Sequence, residues 1–368
     1  MKLKNICEIT SSKRIYASEY TKYGIPFYRS KEIIELANGS TPSLELFISQ
    51  EKFNEIKMKF DVPQINDILL TAVGTLGVSY LVKDDKFYFK DGNLMWFKNI
   101  KNNVLPKYLF YYFNSSIFKN NLNTISIGST QKALTIDKVK EIEVNIPNIS
   151  IQQHIVDTIG SIDGLIESTN KKIEKISEIL LKLFDRLPTS TGNKFSDVFT
   201  TWNGGTFSSK DYVDKSKHKL ITIKNINGNG FDSSNPTYFQ YDPKYEKFRL
   251  KIGDILLTMT GAYLGRTGIV DDNNCFLNQR ILKVSSISPA FTYCFLLKNK
   301  DNIFNLGKGS AQQNLGLKET NNFNVDYSLE SIESFKKYDI IIEMLIKNKI
   351  EIRNLNNLKQ EYLKKFFG

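Results

Sequence analysis

Apolar residues recur at every seventh position through the middle of this chain, at Ile159, Ile166, Ile173, Leu180 and Leu187. A second series, Ile155, Ile162, Ile176 and Leu183, is offset by three or four, with Thr169 in its gap. This is the seam of a helix that packs against another long helix over about four heptads. The run from Ile151, roughly 36 residues, predicts a helix about 54 Å long. Pro147 precedes it and Pro188 follows it, both helix-stop residues. A helix cannot bury its own stripe, so the chain must supply a partner.

The partner is expected between Leu329 and Phe367. There the seam reads Tyr338, Ile341, Leu345, Asn348, Ile352, Leu355, Lys359, Tyr362 and Phe366. Two such helices in one chain bury their stripes most economically on each other, as an antiparallel, coiled-coil-like pair. Thr169, Asn348 and Lys359 interrupt the seams. They are either buried polar residues that fix the register or residues at solvated ends of the pair.

The stretches that precede the two helices repeat one another. Asp67-Ile68-Leu69-Leu70-Thr71 returns as Asp254-Ile255-Leu256-Leu257-Thr258, and Gly261 falls where Gly74 did. Strand-like runs follow at Val78–Val82 and Gly268–Val270, then helical patches at Tyr108–Asn114 and Phe291–Leu297. Gly128-Ser129-Thr130-Gln131 is echoed by Gly309-Ser310-Ala311-Gln312. A strand at Leu220–Ile226 stands where Ile25–Lys31 stands in the first half. A period near half the chain implies two domains of one fold, related by a pseudo-twofold through the paired helices. The expected class is α+β. Two similar mixed α/β domains cover 1–150 and 188–328, and long helices cover 151–187 and 329–368. The polar linker Pro188–Asn193 marks the boundary.

Charge narrows the partner. Fifty Lys and Arg against 39 Asp and Glu leave a net charge of +11, which suits a polyanion, because neutralised phosphates release counterions. Cys7, Cys275 and Cys294 are isolated and no C-x-x-C occurs. Neither disulfides nor a zinc site is expected, and a reducing cytoplasm fits. The basic start, MKLKNICEIT, lacks the apolar core of a signal peptide. No apolar run reaches the length of a membrane span.

Catalytic signatures are missing. Only His154 and His218 occur. The first reads as a surface or packing residue and the second as solvated among Lys215, Lys217 and Lys219. G-x-S-x-G, H-E-x-x-H and a glycine-rich dinucleotide fingerprint are absent, as are Asn-Pro-Pro and Asp-Pro-Pro. Gly261-Ala262-Tyr263-Leu264-Gly265-Arg266 has one spacer too few for a phosphate loop and Arg in place of Lys, so Arg266 reads as a DNA contact. Glu55-Ile56-Lys57 and Asp84-Asp85-Lys86 are the nearest approach to a nuclease site. Such tripeptides are common in a lysine-rich chain, and neither has a counterpart in the second half.

The duplicated basic plan, with a seam helix after each copy, resembles the specificity subunits of type I restriction-modification enzymes. The motifs that carry the resemblance are Gly24-Ile25-Pro26-Phe27, Gly128-Ser129-Thr130-Gln131, Ile146-Pro147 with Gln152-Gln153, Leu220–Ile226 and Gly253–Leu257. It covers essentially the whole chain. The second copy departs at Val325-Asp326-Tyr327, where Ile-Pro and the paired glutamines are missing.

The resemblance implies that each target recognition domain reads one half of a bipartite, asymmetric double-stranded DNA sequence. It implies that the helices space the halves and dock two methyltransferase subunits. Those subunits would carry S-adenosylmethionine and the adenine chemistry. Restriction subunits that use ATP and magnesium can join them, and this chain would hold no cofactor, metal or catalytic residue. The competing readings are a magnesium-dependent nuclease and a coiled-coil scaffold that binds no DNA.

Basic and amide side chains near the shared turns are the expected DNA contacts. Arg can take guanine with two hydrogen bonds, and Asn or Gln can take adenine. In the first domain these are Arg14, Arg29, Lys31, Ser129, Gln131 and Lys132. In the second they are Lys210, Lys224, Asn225, Arg266, Arg280, Lys308, Ser310 and Gln312. Tyr16, Tyr20, Tyr23, Phe27 and Tyr28 lie among the first group and are expected in the core.

Overall fold

Four consecutive buried residues, Ile68-Leu69-Leu70-Thr71, cannot belong to a strand with one wet face. In the computed structural model they form an inner strand of an antiparallel sheet. Its order is Glu8–Thr10, Leu94–Lys98, Ile68–Thr71, Ser79–Leu81. The structure describes all residues except 84–85, 127–132, 191, 229 and 310–312. The repeat builds the same sheet in the same order, from Thr200–Asn203, Ile281–Ser285, Ile255–Thr258 and Thr267–Ile269.

A second, smaller sheet is also repeated. Ile25–Tyr28 pairs antiparallel with Phe47–Ile48 and parallel with Tyr88–Phe89. Lys219–Ile221 pairs antiparallel with Thr237–Tyr238 and parallel with Cys275–Leu277. The duplication read from the sequence is therefore one of topology. The run from Leu220 to Ile226 is not one strand, however. It stops at Ile221, and Ile223–Asn225 forms a 3-10 turn. The Asn225 carboxamide causes this, because its oxygen accepts from the Thr222 amide and hydroxyl and closes a local loop.

The chain divides into two units, Met1–Leu165 with Asn356–Gly368, and Ile166–Leu355. Each takes a share of both long helices, Ile149–Phe184 and Asp339–Phe367. The second run is not helical throughout from Leu329. A short helix, Leu329–Phe335, ends in a 3-10 turn at Lys336–Tyr338 before the long helix begins.

In the first unit the start of the first long helix packs on the end of the second. Ile155 and Ile159 are buried with Tyr108, Tyr111 and Leu363, and Tyr362 and Phe366 lie against them. In the second unit the end of the first long helix, through Leu180 and Phe184, shares a core with Ile342 and Leu345. Ile173, Ile176, Leu183, Tyr338 and Ile341 pack around that core. Both junctions have the antiparallel sense. Ile162 is buried, while Ile166, Ile352 and Leu355 are half-buried. Phe184, Ile342 and Leu363 are buried although the seven-residue repeat passes over them. The helices bury against their domains as well as along the seam, so the apolar stripe is wider than a coiled-coil seam.

Thr169 and Asn348 are 5% and 7% exposed, so they are interior and not at solvated ends. The Asn348 amide donates to the Met344 carbonyl of its own helix at 2.7 Å. Among the described residues no helix is long and apolar enough to cross a membrane.

Candidate nucleic-acid interface

In the second unit, several chain segments converge where the Ile255–Thr258 strand ends. The Thr258 amide donates to the Arg266 carbonyl and its hydroxyl accepts from the Arg266 amide, both at 3.0 Å. One residue later, the Met259 amide donates to the Arg280 carbonyl at 3.0 Å. The Met259 carbonyl accepts from the Leu315 amide, and the Gly261 amide donates to the Gln313 carbonyl, both at 2.8 Å. The turn between these bonds needs glycine at Gly265. Its φ is +81°, and a Cβ there would sit 2.9 Å from the Lys300 carbonyl oxygen.

This convergence brings Arg266 and Arg280 to flank one strand end. Neither has a carboxylate partner among the described residues. The Arg266 guanidinium lies 4.4 Å from the centre of the Tyr263 ring, which holds it without neutralising it. Arg280 is exposed. Lys308 belongs to the same region through its backbone pairing with Asn314, but its amine is paired to Glu319 at 2.7 Å. Lys224 and Lys210 are exposed, each on its own 3-10 turn, and neither has a carboxylate partner among the described residues. Asn225 is 4% exposed. Its amide donates to the carbonyls of Asp232 and Asn235 while its oxygen holds Thr222, so it is committed to its own loop and unavailable to a ligand.

The first unit repeats the frame with other side chains. The Thr71 amide donates to the Val78 carbonyl and its hydroxyl accepts from the Val78 amide, both at 3.0 Å. The Ala72 amide donates to the Asn93 carbonyl, and the Leu134 amide to the Ala72 carbonyl, both at 2.9 Å. Val78 thus stands where Arg266 stands, and Asn93 where Arg280 stands.

The cations expected here are already engaged. Arg14 pairs with Asp91 at 2.9 Å, Arg29 with Glu32 at 2.6 Å and Glu45 at 2.7 Å, and Lys31 with Glu45 at 2.6 Å. Hydrogen bonds from Lys31 and then Arg29 hold the Glu45 carboxyl at about 2. A basic cluster in the sequence is therefore neutralised by carboxylates that other segments bring to it. Phe27 and Tyr28 are core residues and Tyr20 is half-buried, but Tyr16 and Tyr23 are exposed.

Ser129, Gln131, Lys132, Ser310 and Gln312 lie outside the described residues. The residues just after them, Ala133–Leu134 and Gln313–Leu315, are bonded to the two strand ends. Asn93 was missed by sequence reading. It is half-buried and its carboxamide has no partner among the described residues. The register of the duplication could have found it, since it precedes Leu94 as Arg280 precedes Ile281.

The residues considered for catalysis are dispersed. Glu55 pairs with Lys52 and Lys59 on the Gln50–Lys59 helix, where residues two apart, such as Glu55 and Lys57, do not face each other. Asp84 and Asp85 lie outside the described residues. His218 is buried, not solvated. It stacks on Tyr241 at 4.8 Å, and burial, then Lys217 and Arg249, lower its pKa. The His154 ring meets Phe366 edge-on at 6.0 Å.

Comparison with known proteins gives a consistent result. The profile of the type I restriction modification DNA specificity domain matches residues 1–178 and again 193–359. A candidate type I restriction enzyme specificity subunit of Haemophilus influenzae is 29% identical over 193 residues, 49% of this chain and 47% of that protein. A type I restriction enzyme specificity subunit of Methanocaldococcus jannaschii is 28% identical over 229 residues, 61% of this chain and 50% of that one. The chain thus spans about half the length of the curated relatives it matches. The crystal structure of a type I restriction-modification S subunit from M. genitalium shares the fold. It has a TM-score of 0.52 at 17% identity, covering 100% of this chain and 95% of that one.

Proposed function

The chain belongs to the family of type I restriction modification DNA specificity domains, and we propose from this that it reads duplex DNA without acting on it. Each duplicated domain reads one half of a bipartite, asymmetric target. One observation carries the reading. The same backbone frame is built twice at the end of a buried strand, with different side chains set on it. A protein that recognises two unlike half-sites with one fold needs that combination. In the second domain Arg266 and Arg280 supply charge to duplex DNA, with Lys224 and Lys210 as phosphate contacts.

The long helices space the two halves and dock two methyltransferase subunits. Those partners bring S-adenosylmethionine, and restriction subunits bring ATP and magnesium. The chain acts in the cytoplasm, where the DNA is. The nuclease reading is disfavoured by the divergence of Glu55 and Lys57 on their helix.

Equilibrium binding of the purified chain to duplex DNA across a salt series tests the proposal. The logarithm of the binding constant should fall linearly with the logarithm of salt. With magnesium present, the DNA should stay intact. Binding indifferent to salt, or cleavage by the chain alone, would overturn it.

A further inference from the structure

We propose that Asn93 and Arg280 are equivalent base-reading positions, with Asn93 selecting adenine in one half-site and Arg280 guanine in the other. This inference rests on the DNA-reading function above and adds the residues that set its outcome. Both backbones are fixed by the sheet. Asn93 precedes Leu94, which pairs with Thr71, and Arg280 precedes Ile281, which pairs with Thr258. Each carbonyl accepts the amide just after that threonine, from Ala72 in one unit and Met259 in the other. The two Cα atoms are therefore held alike, on turns tied by these bonds to the first residue of a paired strand, as accurate readout requires.

The side chains, by contrast, differ and are unused. Neither the Asn93 carboxamide nor the Arg280 guanidinium has a side-chain partner among the described residues. A carboxamide forms two hydrogen bonds with the N6 and N7 edge of adenine, and a guanidinium does so with the O6 and N7 edge of guanine. The neighbouring pair, Val78 and Arg266, lacks this property. Valine offers no hydrogen bond, and Arg266 is drawn onto Tyr263. The cations near Asn93, Arg14 on Asp91 and Arg29 and Lys31 on Glu45, are bound to carboxylates. They leave Asn93 as the uncommitted polar group on the first frame.

Selection by the full chain from a duplex pool carrying two randomised blocks tests this. The wild-type chain should enrich a bipartite motif with a fixed adenine in one half and a fixed guanine in the other. Arg280→Gln should turn that guanine to adenine and weaken binding to the original motif by about tenfold to a hundredfold. The other half should be unchanged. Asn93→Arg should turn the adenine of the other half to guanine, a gain of preference that a misfolded domain would not show.

Variants that enrich the wild-type motif in both halves, with only uniform loss of affinity, would overturn the inference and leave the DNA-reading function standing. Should Asn93→Arg abolish all preference in its half, an Asn93→Ala chain that still fixes adenine at that base would overturn it equally. A wild-type chain that enriches no bipartite motif would overturn both.

Discussion

Lys359 and Asp163, 196 positions apart, meet at 2.6 Å between the two long helices in the first unit. The other oxygen of the same carboxylate accepts from the Tyr111 hydroxyl at 2.8 Å. Burial, and then the Asp163 charge, push the Tyr111 phenol upward, so it stays protonated and donates. One carboxylate thus joins both helices to the Pro106–Asn114 helix of the first domain. An interruption in the apolar seam is here a polar lock.

Asp163→Ala should destabilise the chain by about 2–3 kcal/mol, since it strips a half-buried ammonium and a buried hydroxyl of their acceptor. Asp163→Asn, which keeps an acceptor, should cost less. Urea midpoints at constant slope are the measurement, and equal losses for both variants would deny the lock.

Gln152 is a second anchor, fully buried. Its oxygen accepts from the Leu105 amide at 2.8 Å, and its amide donates to the carbonyls of Asn103 and Pro147. It fixes the entry to the Pro106–Asn114 helix. Asp339 does the same for the Pro289–Lys298 helix, accepting from the Ser288 hydroxyl and the Ala290 amide. Gln152→Ala should cost about 3 kcal/mol through buried groups left unpaired. Asp339→Ala should destabilise the chain in the same sense. A thermal midpoint unchanged by Gln152→Ala would show the anchor to be dispensable.

Burial pushes the thiols of Cys7, Cys275 and Cys294 up to about 12. A thiolate is the reactive form, so all three should resist alkylation at pH 8 until the chain unfolds. The unfolded thiol ionises nearer 9. Between 9 and 12 the unfolded chain therefore binds fewer protons than the folded one, and stability should fall as pH rises through that window. Rapid labelling of native protein, or stability that climbs there, would contradict this burial.

Insertion of seven residues after Ile173 keeps the seam in phase and lengthens the helix by about 10 Å. With duplex DNA rising about 3.4 Å per base pair, the gap in the selected motif should widen by up to about three base pairs. The bases read in each half should not change. Altered half-sites with an unchanged gap would remove the spacer role of the helices.

Much of this architecture was legible in the sequence because it is written in local patterns. Heptad spacing announced both long helices, and a repeated Asp-Ile-Leu-Leu-Thr announced the duplicated sheet. Arg266 and Arg280 could be singled out as cations on shared turns. Which charges are available was decided only by tertiary structure. Glu45 reaches Arg29 and Lys31 from 16 and 14 positions away, and Asp91 reaches Arg14 from 77. Asn225 looked like a polar residue ready for a ligand, yet its loop closes around it. Asn93 carries no signal in the sequence by itself, yet it shares a backbone frame with Arg280. Periodicity and composition report how a segment meets its immediate neighbours. Ion pairs, buried amides and the equivalence of two strand ends depend on segments that meet only after the chain has folded.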